Sequence, residues 1–250
     1  MKYSICIDAL YQGVPIETAL KKIKQSGFDT IEFWSWPGRD LDALEAGLQK
    51  FGFQVSCFCT DGWSLTNPSE WKEYLEGLKR TIPIAKRLGC KKLITQAGPE
   101  QPGISHLQAL NNITEGLKRC VSILEKSDVT LMLEPLNLQV DHPGYSLAYC
   151  NEALKILEKI ASPNVKMLFD IYHQQITEGN LLANIRQALP YIAHFHAAGI
   201  SQRGELDDGE VNYAYLFQQI HQLGYQEYIG LEYRPTRENC GFDVLPKLSY

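Results

Sequence analysis

Short apolar runs alternate with polar loops and amphipathic stretches along the whole chain. Each run of apolar or β-branched residues is followed or preceded by a stretch whose apolar positions have helical spacing. Strand-like and helix-like segments that recur at intervals of roughly 25–40 residues are typical of successive βα units. The pattern predicts these strands: Tyr3–Asp8, Thr30–Trp34, Gln54–Cys59, Lys92–Gln96, Thr130–Glu134, Lys166–Asp170, Ala193–Ala197 and Tyr228–Tyr233.

Glycine and capping residues mark several predicted helix ends. A glycine can take the left-handed conformation that closes a helix. Glycines stand shortly before four predicted strands: Gly27, Gly52, Gly89 and Gly224. The segment Asn67–Glu70 offers an Asn cap, a Pro at the first helical position and a Glu at the third. An amphipathic stretch follows over Trp71–Leu88, and we expect Pro83 to kink or interrupt it.

The strand cores favour a closed parallel sheet. Leu131–Leu133 and Met167–Phe169 are continuously apolar, as expected for parallel strands that are buried on both faces. The main alternative, a doubly wound open sheet, often has a Gly-rich phosphate loop after its first strand, and the segment Ala9–Pro15 has none. The chain has 250 residues, and one α/β barrel typically has about 250. We therefore predict a single-domain (β/α)8 TIM barrel over residues 1–250.

Composition and charge narrow the range of partners. Hydrophobic residues make up 44% of the chain and charged residues 21%, which excludes a disordered chain. The net charge of −5 argues against a nucleic-acid partner, and no apolar run approaches a membrane span. The seven cysteines lack the spacing of a disulfide framework, so we expect reduced thiols and a cytoplasmic location. The expected partner is a small-molecule substrate. The sequence leaves open whether the chain forms a homo-oligomer.

Acidic residues end three of the last four predicted strands. They are Glu134, Asp170 and Glu232, and His196 holds the matching position on the seventh strand. The C-terminal ends of barrel strands meet at the active-site mouth. Three crowded carboxylates repel one another, and a divalent cation removes that conflict. Three oxygens and an imidazole favour Mn²⁺, Mg²⁺ or Co²⁺, so we predict one such ion. His194 is expected lower in the barrel, bonded to a neighbour.

Further side chains near the strand ends are candidates for substrate contacts. His173 lies just beyond the sixth predicted strand and could donate to a substrate oxygen. Arg203 lies in the polar loop 201–213, and its planar guanidinium could hold a carboxylate. Trp34 and Trp63 lie near the ends of the second and third strands, where they could wall a pocket, although simple packing explains them equally well.

Seven short blocks resemble the hydroxypyruvate isomerase family, which belongs to the xylose-isomerase-like barrel superfamily. The resemblance is dense from about Lys92 to Pro235, and seven blocks in order are far more specific than any one of them. The blocks are Glu134–Asn137, Asp141–Tyr145, Phe169–His173, Glu178–Asn180, Arg203–Glu205, Gly209–Tyr213 and Gly230–Tyr233.

The resemblance implies a barrel, a metal ion and an isomerase reaction. In the family, the positions that match Glu134, Asp170 and Glu232 bind the metal, and the two glutamates also transfer protons. His173 and Arg203 match positions that contact the substrate.

Some positions depart from the family pattern. The position of His196 is usually Gln in bacterial and animal hydroxypyruvate isomerases, and His there resembles the related ketose 3-epimerases. Leu206-Asp207 replaces a Pro-Gly, and Cys59–Trp63 replaces a His-Asn-type loop. We assign Asn137, in the first block, and Trp63 to the substrate pocket.

The predicted function is a metal-dependent isomerisation of hydroxypyruvate to tartronate semialdehyde, or of a similar 2-keto sugar acid, through an enediolate. A ketose 3-epimerase with the same metal site is the alternative that His196 favours. A DNA-repair endonuclease of the same superfamily needs a His-rich multi-zinc site, and this acidic chain has only 6 His. A catalytically inactive sugar-binding barrel is disfavoured because all four strand ends carry a ligand.

Overall fold

The protein forms a closed barrel of parallel strands, in the order β1-β2-β3-β4-β5-β6-β7-β8. The structure is a computed structural model that describes residues 1–62 and 64–248, so the predicted pocket residue Trp63 lies outside the described residues. The prediction of a (β/α)8 barrel is confirmed. The strands are β1 Lys2–Cys6, β2 Thr30–Phe33, β3 Gln54–Cys59, β4 Lys92–Gln96, β5 Thr130–Glu134, β6 Val165–Asp170, β7 Ile192–Ala197 and β8 Tyr228–Leu231.

Helices surround the barrel and connect its strands. None of the helices within the described ranges is long and apolar enough to cross a membrane. Short 3₁₀ segments lie at Pro68–Glu70, Leu189–Tyr191 and Glu238–Leu248. The α-helices are α1 Ile7–Leu10, α2 Ile16–Gln25, α3 Leu41–Phe51, α4 Trp71–Arg87, α5 His106–Leu124, α6 Cys150–Ile160, α7 Ile171–Thr177, α8 Leu181–Ala188 and α9 Tyr213–Gln222.

The predicted helix ends are largely confirmed. Gly52 closes α3 in the left-handed conformation, with φ of 68°. Asn67 caps the 3₁₀ turn that precedes α4, because its Oδ1 accepts a hydrogen bond from the backbone N–H of Ser69. Of the two outcomes predicted for Pro83, a kink or an interruption, the interruption is wrong, since α4 is continuous through it. Burial of the α4 face that includes Leu78 outweighs the one backbone hydrogen bond that proline removes.

The barrel interior contains its own small apolar cluster, separate from the larger core between strands and helices. Cys57, Ile94, Met132 and Leu168 form this inner cluster and are at most 2% exposed. Side chains alternate along a strand, so the residue two positions further on points to the same side. The alternation therefore places a residue such as Glu134, two positions after Met132, in the next layer towards the C-terminal mouth.

Candidate active site

The four predicted metal ligands converge at the C-terminal mouth of the barrel. The Nδ1 atom of His196 lies 3.4 Å from Glu232 Oε2 and 3.7 Å from Glu134 Oε1. Ligand atoms of Asp170, His196 and Glu232 all lie within 4.8 Å of one another. All four side chains are buried, with between 1% and 6% of their surface exposed. The residue types that the strand-end pattern singled out thus share one buried site.

Strand register explains this convergence. Asp170 of β6 is level with His196 of β7, and His196 is level with Gly230 of β8. A register shift between β6 and β7 lies just below this layer, and His194 and His196 both lie inside the barrel with ring centroids 5.2 Å apart. Asp170 also caps α7, because its Oδ1 accepts from two backbone N–H groups. That cap fixes the carboxylate at the junction of strand and helix.

The two glutamates differ strongly in proton affinity. Burial raises the pKa of Glu134, and together with the negative charges of Glu232 and Asp170 it outweighs the opposing effects of His196 and Arg203. Burial also acts to raise the pKa of Glu232, but His196 and Arg203 outweigh it and hold that pKa well below its ordinary value. Glu232 additionally accepts a hydrogen bond from Trp34 Nε1. The surroundings of the two glutamates therefore favour protonation of Glu134 before Glu232.

The donor set fits a divalent cation. Both ring nitrogens of His196 are buried without a hydrogen-bond partner among the residues that the structure describes, and Nδ1 faces two carboxylates. An unpartnered buried nitrogen is costly unless a ligand completes it. Three carboxylates and one imidazole, without a thiolate in the set, suit an oxygen-preferring ion such as Mn²⁺ or Mg²⁺.

His173 is held in one orientation beside this site. Its Nδ1 accepts hydrogen bonds from the Asn137 side chain at 2.7 Å and from the Asn137 backbone N–H at 3.3 Å. Both partners can only donate, so neutral His173 carries its hydrogen on Nε2, which lies 3.5 Å from Asp170 Oδ2. Burial lowers the pKa of His173, which keeps this neutral form available as a donor.

Asn137 lies behind His173 instead of lining the cavity. It is fully buried, and its Nδ2 also donates to Asp141 Oδ2 at 2.7 Å. Its Oδ1 accepts from the backbone N–H groups of Val140 and Asp141. Each polar atom of the side chain thus has a protein partner, and the contact predicted with substrate becomes, in this structure, a contact that orients His173.

Arg203 reaches into the same cavity from the loop after β7. Its Nη2 pairs with Glu232, its Nη1 lies 3.6 Å from Asp141 Oδ1, and its guanidinium lies over the Tyr172 ring at 4.9 Å. The residue has a left-handed φ of 57°, which is unfavourable for a side chain with a Cβ. Such strain is often found where a side chain is held for function.

The cavity above the ligands has a volume of about 360 Å³, within the range of a small-ligand site. Sequence reasoning missed two charged residues of this region. Arg234 lines the cavity mouth directly after β8, and Glu32 lies beneath the site in the middle of β2. A single acid between Ile31 and Phe33 was the available signal for Glu32. Besides the predicted ligands, the wall includes Trp34, Cys59, Ile94, Gln96, Leu136 and His142.

The closed barrel and its ring of strand-end ligands define a recognisable class. The profile of the Xylose isomerase-like TIM barrel family matches residues 20–244, and the chain belongs to this family. Its similarity to curated proteins extends over most of its length, as three of them illustrate. It is 35% identical over 250 residues to a Mus musculus protein whose name as a hydroxypyruvate isomerase is provisional, covering 94% of this chain and 90% of that protein.

Two bacterial relatives have firm isomerase names. Identity is 30% with the hydroxypyruvate isomerase of Escherichia coli (strain K12), covering 94% of each chain. It is 31% with the 2-oxo-tetronate isomerase of Cupriavidus necator, covering 84% of this chain and 83% of that protein. The predicted family resemblance is confirmed, and the chain is an enzyme of the aldose–ketose isomerase kind.

Two solved structures show the same fold. One is described as an AP endonuclease, family 2, from Brucella melitensis, with a TM-score of 0.91, 24% identity and 98% of each chain covered. The other is a D-psicose 3-epimerase from Clostridium cellulolyticum H10 in complex with D-tagatose. Its TM-score is 0.79 and its identity 18%, with 93% of this chain and 85% of that chain covered. At these identities the likeness shows the fold alone.

Proposed function

We propose that this enzyme interconverts a small 2-keto sugar acid and its aldehyde isomer, of the hydroxypyruvate to tartronate semialdehyde type. The observation that carries the proposal is the pair Glu134 and Glu232. Both line one cavity, and a carboxylate oxygen of each lies within 4 Å of His196 Nδ1. Two carboxyl groups that face one small cavity suit a reaction in which a proton leaves one carbon and arrives at its neighbour. The isomerase names of the relatives support the same reaction.

In the proposed mechanism, Glu134, Asp170, His196 and Glu232 would hold one Mn²⁺, Mg²⁺ or Co²⁺ ion. That cation supplies Lewis acidity, which stabilises negative charge on the substrate oxygens. Glu134 and Glu232 transfer the carbon-bound proton, one removing it from the hydroxymethyl carbon and one delivering a proton to the former carbonyl carbon. A hydroxyl proton moves between the two oxygens, so the reaction balances without an oxidant.

His173 supports this proton transfer as a hydrogen-bond donor. Its Nε2–H is fixed by the acceptor role of Nδ1 towards Asn137. We propose that this N–H donates to a substrate oxygen, which stabilises the enediolate relative to the ketone.

The cysteines are all free thiols, which supports a reducing, cytoplasmic location.

Arg203 is proposed to hold the substrate carboxylate. Its Nη1 makes no hydrogen bond within the described part of the chain and lies beside the cavity. Changing Arg203→Lys keeps the positive charge but removes the planar fork. We expect a larger loss of kcat/KM for a 2-keto acid than for an uncharged ketose, measured by steady-state kinetics on both substrates. Equal losses on the two substrates would contradict carboxylate recognition.

A ketose 3-epimerase is the second candidate, because His196 faces the site as a nitrogen ligand. The same carboxylate pair could remove and return a proton on one carbon of a ketose. The two reactions leave the carbonyl group in different places, so they leave different isotopic records in heavy water.

Turnover in D₂O separates the two functions. An isomerase that acts on hydroxypyruvate should yield tartronate semialdehyde with deuterium on its hydroxyl-bearing carbon, the former carbonyl carbon, and should label the hydroxymethyl carbon of any hydroxypyruvate that returns from the enediolate, since carboxylate bases exchange protons with solvent during some turnovers. A 3-epimerase should place deuterium at carbon three of a ketohexose and keep the carbonyl position. We expect the first pattern by NMR of the products. Label at carbon three alone, with no turnover of any short keto acid, would overturn the isomerase proposal.

A further inference from the structure

We propose that Glu32, in the middle of β2, is a positioning residue that holds His196 with its Nδ1 atom directed at the cation site. This inference rests on the metal site of the proposed function. Glu32 is 1% exposed and lies inside the barrel, beneath the ligand layer. Its Oε1 atom lies 3.1 Å from His196 Nε2, and its Oε2 atom lies 2.9 Å from His194 Nε2. One carboxylate thus faces both inward histidines.

The surroundings of Glu32 are shaped to accept a carboxylate. Ser56 Oγ donates to Glu32 Oε2 at 3.1 Å. On the other side stands Gly230, where an added Cβ atom would lie only 2.2 Å from Glu32 Oε1. Because β8 carries no side chain at this position, the carboxylate can reach His196. A buried acid without such contacts would be strongly unfavourable.

The carboxylate of Glu32 influences which ring nitrogen of His196 carries the hydrogen. Glu32 Oε1 lies 3.1 Å from His196 Nε2 without the alignment of a hydrogen bond, and an ionised carboxylate at that distance favours a hydrogen on Nε2 because it can only accept. With a cation held by Glu134 and Glu232, neutral His196 would present its lone pair at Nδ1, the nitrogen that faces both glutamates. A carboxylate behind a ligating histidine is a common way to set its tautomer and ring orientation. Glu32 would thereby prepare His196 for a cation without touching the cation.

An alternative use of these groups is a second metal site. Ligand atoms of Glu32, Cys57, His194 and His196 also lie within 4.8 Å of one another. Hydrogen bonds already account for Glu32 Oε2, which faces Ser56 and His194. The two explanations predict different metal stoichiometries, one ion per chain for a positioning residue and two for a second site.

The direct test measures the affinity of the purified protein for Mn²⁺ by calorimetry. In Glu32→Gln, the amide can accept from only one of the two histidines and presents N–H groups to the other. We expect about 10- to 100-fold weaker binding, as for other residues behind metal ligands, with one ion per wild-type chain. Ser4→Ala is the control, since it removes a buried hydroxyl that bonds Ser56 but leaves the contacts of Glu32 in place. We expect unchanged affinity in this control.

A double-mutant cycle shows whether Glu32 acts through His196. Glutamine has no tautomers, so in a His196→Gln background the further change Glu32→Gln should cause no additional loss of Mn²⁺ affinity. Losses that add would mean that Glu32 acts independently of His196, which would overturn the inference. Thermal unfolding of each variant checks that the fold is kept.

A measurement on the wild type does not depend on any variant. We expect ¹⁵N-histidine NMR of the Zn²⁺-loaded protein to show metal on Nδ1 of His196 and a retained hydrogen on Nε2. Metal on Nε2, two ions per chain, or unchanged affinity in Glu32→Gln would overturn this inference while leaving a metal site in place. A wild-type protein that binds no divalent ion would overturn the inference and the proposed metal site together.

Discussion

Changing either Glu134→Gln or Glu232→Gln should lower kcat by at least 10²–10⁴-fold, the usual contribution of general acid–base catalysis. Each glutamine keeps the size of the side chain but can neither transfer the proton nor bind a cation as a carboxylate does. The loss should exceed that of acid–base catalysis alone, because both residues face His196 Nδ1 in the proposed cation site. Steady-state kinetics on a keto acid, with metal content measured in parallel, gives the size of each loss.

Glu227→Gln provides the control for these variants. Glu227 pairs with Lys92 just before β8, at the opposite end of the barrel from the cavity. That end of a TIM barrel generally serves stability, so we expect near wild-type kcat with at most a small change in melting temperature. A Glu134 or Glu232 variant that kept its metal and turned over at the wild-type rate would refute the role assigned to that residue.

Removal of divalent cations should abolish activity and lower thermal stability together. The three carboxylates Glu134, Asp170 and Glu232 lie in one buried layer, and their repulsion is relieved when a cation is shared among them. A cation that binds only the folded state at 100 times its Kd stabilises that state by about 2.7 kcal/mol. We therefore expect extensive chelation to lower Tm and stop turnover, and Mn²⁺, Co²⁺ or Mg²⁺ to restore both.

Measuring activity and Tm together distinguishes the loss of a bound cation from inhibition by the chelator itself. Loss of activity with unchanged Tm would point to chelator binding in the cavity, and a fresh exchange into chelator-free buffer should then restore turnover without added metal. Full activity in protein that elemental analysis shows to be metal-free would contradict the proposal that turnover requires a bound cation.

The barrel and the strand-end positions of the candidate ligands could be predicted from sequence because both depend on local periodicity. Apolar runs such as Met167–Phe169 mark buried strands, and an acid such as Asp170 that ends one of them must lie at the mouth. The position of His194, below the ligand layer and bonded to a neighbour, followed from the same two-residue alternation and is confirmed. No long-range information was needed for these inferences.

The rest depends on contacts between segments that lie far apart in the sequence. Asn137 was assigned to the pocket, but only the fold shows that His173 and Asp141 use its polar atoms. The sequence assigns Glu32 no role beyond its place in the predicted strand Thr30–Trp34, since its partner His194 stands 162 positions away. Whether the helix continues through Pro83 depends on how well the surrounding helix packs, and the local sequence does not reveal that packing.

Because Gly230 has no side chain, the residues tolerated at positions 230, 32 and 196, on three different strands, should depend on one another. A larger residue at position 230 would collide with Glu32, and Glu32 in turn lies 3.1 Å from His196 Nε2. We expect these positions to be strongly epistatic: an alanine at 230 is harmful while the glutamate is present, and a shorter residue at 32 is harmful while the histidine is present. Once His196 is exchanged for glutamine, we expect substitutions at positions 32 and 230 to be tolerated. The order in which the three substitutions occur would therefore decide which variants of this barrel can be reached by single substitutions.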